Sequence, residues 1–217
     1  MVPSVQNKVV DWAAEYTSEI VGSEITIGAI EIPDLAETAE NAVKHAELAY
    51  GDAKKMARSR LHFITPKRLE EIAYTAALTH QLQDAIQIGE FYIVIQPKVD
   101  VRSGKPTAGE VLVRWSRAGG QNIPPGLFIP VAEDTGLIIP VGNWVLLEAC
   151  RQIKEWRDRG INLQHISVNV SARQFHQAHF VSQVERILDK TGLPPDRLML
   201  ELTEGVVIHD IKDTVDK

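Results

Sequence analysis

A single cysteine, Cys150, stands in the 217 residues, so the chain can form no disulfide of its own. It falls on the apolar face of a predicted helix, where a packed free thiol is expected rather than a nucleophile. The scarcity of cysteine fits a reducing, cytoplasmic location. No run of about 18 uninterrupted apolar residues occurs, and the opening MVPSVQNK has no basic stretch followed by an apolar core. Neither secretion nor a membrane span is expected within the chain. Basic charge is also short, 23 Lys and Arg against 29 Asp and Glu, for a net charge of −6 and a pI near 5.7. That balance argues against a binder of nucleic-acid polymers, which relies on a basic surface. Aromatic residues make up only 6%. Trp12, Trp115, Trp144 and Trp156 follow no spacing that would build a stacking platform, so packing in the core or at its rim is expected of them.

What is present reads as one large domain or parts of two. Val2 to Ile64 predicts a helix, a strand over Glu24 to Ile32 interrupted by Gly28, a second helix, and a strand over Leu61 to Ile64. The second helix has a capping-box pattern in Asp34 and Glu37, and Ala39, Ala42, Val43, Ala46, Ala49, Tyr50, Ala53 and Met56 recur at helical spacing. Lys54, Lys55, Arg58 and Arg60 crowd its last turn, where cations suit the helix dipole. Thr65 and Pro66 then open a helix that runs to about Ile88 and stops at Gly89.

The centre of the chain is Gln96 to Trp115, QPKVDVRSGKPTAGEVLVRW. Two apolar runs, Phe91 to Val101 and Val111 to Trp115, flank a polar loop with Gly104 and Pro106. Glu110 is placed at the mouth of the second strand. An unpaired buried carboxylate costs several kcal/mol, so Glu110 needs a cation, a donor or water beside it. Further on, a short helix is predicted over about Pro125 to Asp134 and a longer one over Pro140 to Arg159, with Leu146, Ala149, Cys150, Ile153 and Trp156 on one face. Strands over Ile166 to Val170 and Leu198 to Leu202 bracket a helix over Ala178 to Thr191, and another helix begins at Val206. Alternating strands and helices of these lengths predict an α/β fold with a parallel sheet.

QPKVD and EVLVRW, followed in order by FIPVAEDTGLI (Phe128 to Ile138), SVNVSARQF (Ser167 to Phe175) and LELTE (Leu200 to Glu204), resemble the EAL-domain phosphodiesterases. These are bacterial enzymes that hydrolyse cyclic di-GMP to the linear dinucleotide pGpG. The resemblance covers the chain from about Gly89 to its end and implies a partial TIM-type barrel, about four of eight strands. The family's metal ligands fall on Glu110, Asn169 and Glu201, all oxygen donors that suit Mg²⁺ or Mn²⁺. Substrate contacts fall on Gln96 and on Arg114, whose fork of donors suits a phosphate. Glu204 matches the glutamate that anchors a mobile active-site loop and joins Glu110 in the expected catalytic set. Val111 stands where the family usually has alanine.

Each residue also has an ordinary role open to it. Asn169 can cap the turn after its strand, Glu201 can pair with a neighbouring Lys or Arg, and Arg114 can form a salt bridge inside the barrel. His176 and His179 have a helical metal spacing but no third ligand nearby. The family reaction uses two metal ions, and its paired aspartates and general-base lysine lie on later strands than the chain contains. The chain alone is therefore expected to be inactive, with a non-catalytic cyclic di-GMP-binding or protein-interaction module as the alternative. The last strand is expected to leave an open barrel edge that favours self-association or partial order beyond Gly192.

AELAYGDAKKMARSR (Ala46 to Arg60) and ITIGAIEIPD (Ile25 to Asp34) resemble the closing part of the GGDEF family, the diguanylate cyclases. The glycine-glycine-acid-acid turn of that family is absent, so no cyclase activity is expected. The implied organisation is a GGDEF remnant over 1–64, a linker helix over 65–89 and the amino-terminal half of an EAL domain over 90–217.

Overall fold

The structure is a computed structural model that describes residues 27–30, 38–55 and 61–202, with backbone alone for Lys55 and for 61–63. Two compact units divide the chain, 1–75 and 76–217. In the first, β1 (Ile27–Ala29) pairs in parallel with β2 (Leu61–Phe63), and α1 (Ala39–Lys55) forms the crossover. Asp34 and Glu37 lie outside the described residues, as do Arg58 and Arg60. Among the described residues Thr38 caps the helix, its hydroxyl accepting the Asn41 N–H at 3.2 Å. A Cβ at Gly28 would overlap the Tyr50 backbone, so the glycine lets β1 approach α1 closely. Asp52, buried on α1, receives a bidentate bond from Arg68 at 2.7 and 2.8 Å.

α2 (Pro66–Ile88) starts as its sequence dictates, with Thr65 Oγ1 accepting the Arg68 N–H, and ends at Gly89 with φ +75°. The sheet of the second unit has the order β3-β4-β6-β7, from β3 (Phe91–Val99), β4 (Pro106–Ser116), β6 (His165–Val170) and β7 (Leu198–Leu202). β3 and β4 form an antiparallel hairpin, whereas β4, β6 and β7 run parallel. A two-residue β5 (Asn122–Ile123) folds back on the end of β4.

α3 (Pro125–Thr135) and α4 (Ile138–Asp158) follow β5. The short α5 (Ala172–Phe175) and then α6 (Phe180–Thr191) lie between β6 and β7, and a 3₁₀ turn (Pro195–Arg197) leads into β7. α4 begins two residues before Pro140, a position its first turn tolerates because the missing N–H has no helical partner there. Among the described residues no helix is long and apolar enough to cross a membrane.

One face of the sheet carries the core. Val111, Trp115, Ile166, Val168 and Val170 are buried there, with Leu146, Ala149, Cys150 and Ile153 of α4 in the same cluster. Burial pushes the Cys150 thiol up to about 11, which makes it a packed group rather than a nucleophile. Phe91, Trp115, Phe128 and Trp144 form an aromatic group with ring centroids 5.5 to 6.1 Å apart. Trp115 and Trp144 thus have the packing role expected of them, while Trp12 lies outside the described residues. The opposite face presents Tyr92, Val94 and Met199 exposed. Strand alternation puts Gln96, Lys98, Glu110, Arg114, Ser167, Asn169 and Glu201 on that same side.

Candidate active site

Glu110 is the fifth residue of β4, not its first. Pro106 to Gly109 already pair with the end of β3, which extends the strand backwards and carries Glu110 into mid-sheet. The expected strand-mouth position is corrected accordingly. In register, Glu110 stands opposite Gln96 on β3 and opposite Ser167 on β6, while Asn169 stands opposite Glu201 on β7. Asn169 Nδ2 donates to Glu110 Oε1 at 2.8 Å. The donor that a half-buried Glu110 requires is therefore this amide, and its own oxygen remains available as a ligand atom.

Glu201 has a different neighbour. Lys98 Nζ donates to Glu201 Oε1 at 2.6 Å and to Ser167 Oγ at 2.9 Å. Ser167 is fully buried. The Lys98 ammonium first, and the Ser167 hydroxyl second, hold the Glu201 carboxyl below its ordinary value. The pairing of Glu201 with a nearby cation, one of its ordinary roles, is thus realised. Neither Lys98 nor Ser167 was singled out in sequence. Lys98 lies within QPKVD two positions after Gln96, and that spacing on a strand is the signal that places it on the same face.

Arg114 lies on the same face, four residues after Glu110. Its Nη1 donates to the Val113 carbonyl at 2.8 Å. Together with Leu112, Ile129, Val141, Asn169 and Ser171 it lines a cavity of about 270 Å³ at the carboxyl ends of β4 and β6. Parallel-sheet folds of this kind bind ligands at that end. Gln96 is exposed beside Glu110. Glu204 lies outside the described residues. His176 and His179 are exposed, and no group of three His, Cys, Asp or Glu positioned for a metal occurs among the described residues. The candidate ligand set is thus two carboxylates and one amide. These are oxygen donors on one face, one of them already holding a cation, and they fit a hard divalent ion better than zinc.

The family model described as EAL domain matches residues 79–216. The chain belongs to the EAL domain family. Among curated EAL relatives, the bifunctional diguanylate cyclase/cyclic di-GMP phosphodiesterase MucR of Pseudomonas aeruginosa is 35% identical over 185 residues, 85% of this chain and 27% of the relative. The cyclic di-GMP phosphodiesterase PdeR of Escherichia coli is 33% identical over 195 residues, 90% of this chain and 28% of the relative. The chain therefore spans about a quarter of the length of these curated relatives. A solved structure of the PaMucR phosphodiesterase in complex with c-di-GMP superposes with a TM-score of 0.61 at 39% identity, covering 64% of this chain and 57% of that one. The mixed α/β unit with its partial sheet is an EAL fold.

Proposed function

We propose that this chain acts in cytoplasmic cyclic di-GMP signalling, through the sheet face that carries Glu110, Asn169 and Glu201. The observation that carries the reading is the meeting of those three residues on adjacent strands, with Asn169 bonded to Glu110 at 2.8 Å and opposite Glu201 in register. A relative that shares this fold is named as a phosphodiesterase in complex with c-di-GMP, which supports that ligand and the hydrolysis of one phosphodiester bond to give pGpG. Glu110, Asn169 and Glu201 would hold Mg²⁺ or Mn²⁺. When bound, the ion supplies Lewis-acid polarisation of a phosphoryl oxygen and a more acidic water. The residues of the chain bind and orient. Arg114, whose guanidinium fork suits a phosphate, reads one, and Gln96 contacts the dinucleotide beside Glu110. Glu204 is assigned the loop anchor from the family resemblance.

Among the described residues, two carboxylates and an amide on one face make a seat for one ion. The second reading is binding of the dinucleotide without cleavage. Calorimetry with c-di-GMP in Mn²⁺ is expected to show binding that Arg114→Ala weakens about tenfold. Chromatography is expected to show no pGpG above the Glu110→Ala background. Product that disappears in Glu110→Ala would assign hydrolysis to the chain itself, and absence of binding would overturn the reading.

For residues 1–64 we propose a GGDEF remnant, followed by a linker helix over 65–89 and the EAL half-domain from 90. The parallel pair β1/β2 with its helical crossover supports this. So does an alignment to a named diguanylate cyclase/phosphodiesterase that is longer than the EAL match. GTP is expected to leave the melting temperature unchanged, because a ligand that bound the native state would raise it. Among the described residues β7 pairs with β6 alone. Self-association through that edge is the expected outcome in light scattering, and a monodisperse monomer would refute it.

A further inference from the structure

Lys98 reaches across the sheet. It belongs to β3, yet its ammonium is bonded to Glu201 of β7, two strands beyond its direct neighbour β4. Its register partner is the small Ala108, and the side chain it touches on β6 is the small, fully buried Ser167. Larger residues at those two positions would block the path of its stem. The head group ends at 2.6 Å from Glu201 Oε1, with 41% of the lysine side chain and 34% of the glutamate side chain exposed.

We propose that Lys98 is a tethered counter-cation for Glu201, a positioning residue that takes the place of a divalent ion on that carboxylate and lowers the affinity with which the face binds one. The inference rests on the metal reading above. Without a metal, Glu110 is satisfied by the Asn169 amide and Glu201 by the Lys98 ammonium, so neither carboxylate is left without a partner. An ion coordinated by Glu201 has to share that carboxylate with an ammonium at bonding distance or displace it, and like charges so placed repel. The lysine therefore holds the Glu201 carboxylate in place before an ion arrives, at the cost of weaker binding once it does. Ser167 completes the device by accepting a second bond from the ammonium at 2.9 Å, which fixes the Lys98 head group beside Glu201.

The test is Mn²⁺ affinity, read from the free-ion paramagnetic resonance signal, for the wild-type chain and for Lys98→Met, Lys98→Gln and Lys98→Arg at about 0.1 M salt. Removing one positive charge from a partly exposed site is expected to tighten Mn²⁺ binding about tenfold in Lys98→Met and Lys98→Gln. Lys98→Arg keeps the charge and is expected to remain near wild type. Melting temperatures give the second readout. Metal-free Lys98→Met melts below wild type, and saturating Mn²⁺ raises its melting temperature by more than it raises that of wild type. Equal or weaker Mn²⁺ binding in both uncharged variants, with binding still abolished by Glu110→Gln, overturns the role of Lys98 and leaves the metal reading standing. No Mn²⁺ uptake by any of the proteins overturns both.

Discussion

Asn169 and Glu110 bond diagonally across two parallel strands, because the residue in register with Glu110 is Ser167 and Asn169 stands two positions further along β6. The bond fixes which end of the amide faces the carboxylate. It leaves the Asn169 oxygen free to join Glu110 and Glu201 as candidate ligand atoms of the face.

Asn169→Asp tests that arrangement. The substitution removes the donor and sets a second carboxylate against Glu110 at hydrogen-bond distance, so the metal-free chain is expected to lose about 1 kcal/mol of stability. Mn²⁺ is expected to restore it, since the added charge is attractive once a cation is shared. Thermal melts with and without the ion check this. A metal-free melting temperature above wild type would show that Asn169 does not serve Glu110.

Gly142 of α4 lies against Gln174 of α5. A Cβ there would overlap Gln174 Oε1 and come within 2.8 and 2.9 Å of Cδ and Nε2. Gln174 is 2% exposed and its amide donates to Asn143 Oδ1 at 3.0 Å, so it has nowhere to retreat. Replacing glycine by alanine inside a helix ordinarily gains up to about 1 kcal/mol. Overpacking costs about 1–3 kcal/mol, so Gly142→Ala is expected to destabilise on balance. Adding Gln174→Ala should return part of the loss. Urea unfolding of the four proteins of the cycle measures the coupling, and additive effects would show that the two residues are independent.

Glu90 holds the end of β4. Its carboxylate accepts the Trp115 Nε1–H and the Ala118 N–H, both at 2.9 Å. The Trp115 bond first, then the Ala118 bond and the Arg117 charge, hold its carboxyl below the ordinary value. A carboxyl depressed by folding adds stability above its unfolded value, and that contribution is lost as pH falls through the folded value. The stability difference between wild type and Glu90→Gln, about 1 kcal/mol for a charge-assisted pair near the surface, should therefore be flat near neutral pH. It should shrink as the solution becomes more acidic than the unfolded carboxyl. A difference that grows on acidification would contradict the assignment.

Local chemistry decides several of these elements. Thr65 and Pro66 mark one helix start and Gly89 its end, because capping and left-handed backbone depend on a few adjacent residues. The strand Leu198–Leu202 and the buried stripe Leu146, Ala149, Cys150 and Ile153 follow from periodicity alone. The motif order pointed to the family and to Glu110, Asn169 and Glu201. Three features escaped it: the backward extension of β4 that puts Glu110 in mid-sheet, the two-residue β5, and the short α5. Each is fixed by a partner elsewhere in the chain, and a segment of two to four residues has too little periodicity to announce itself. The pairing of Lys98 with Glu201 is the clearest case. Strand alternation assigns Lys98 a side of the sheet, but 103 residues separate it from Glu201. Only the parallel stacking of β4, β6 and β7, with small residues beneath the path, brings the ammonium to the carboxylate, because cross-strand register is set by packing of the whole sheet rather than by any local run of sequence.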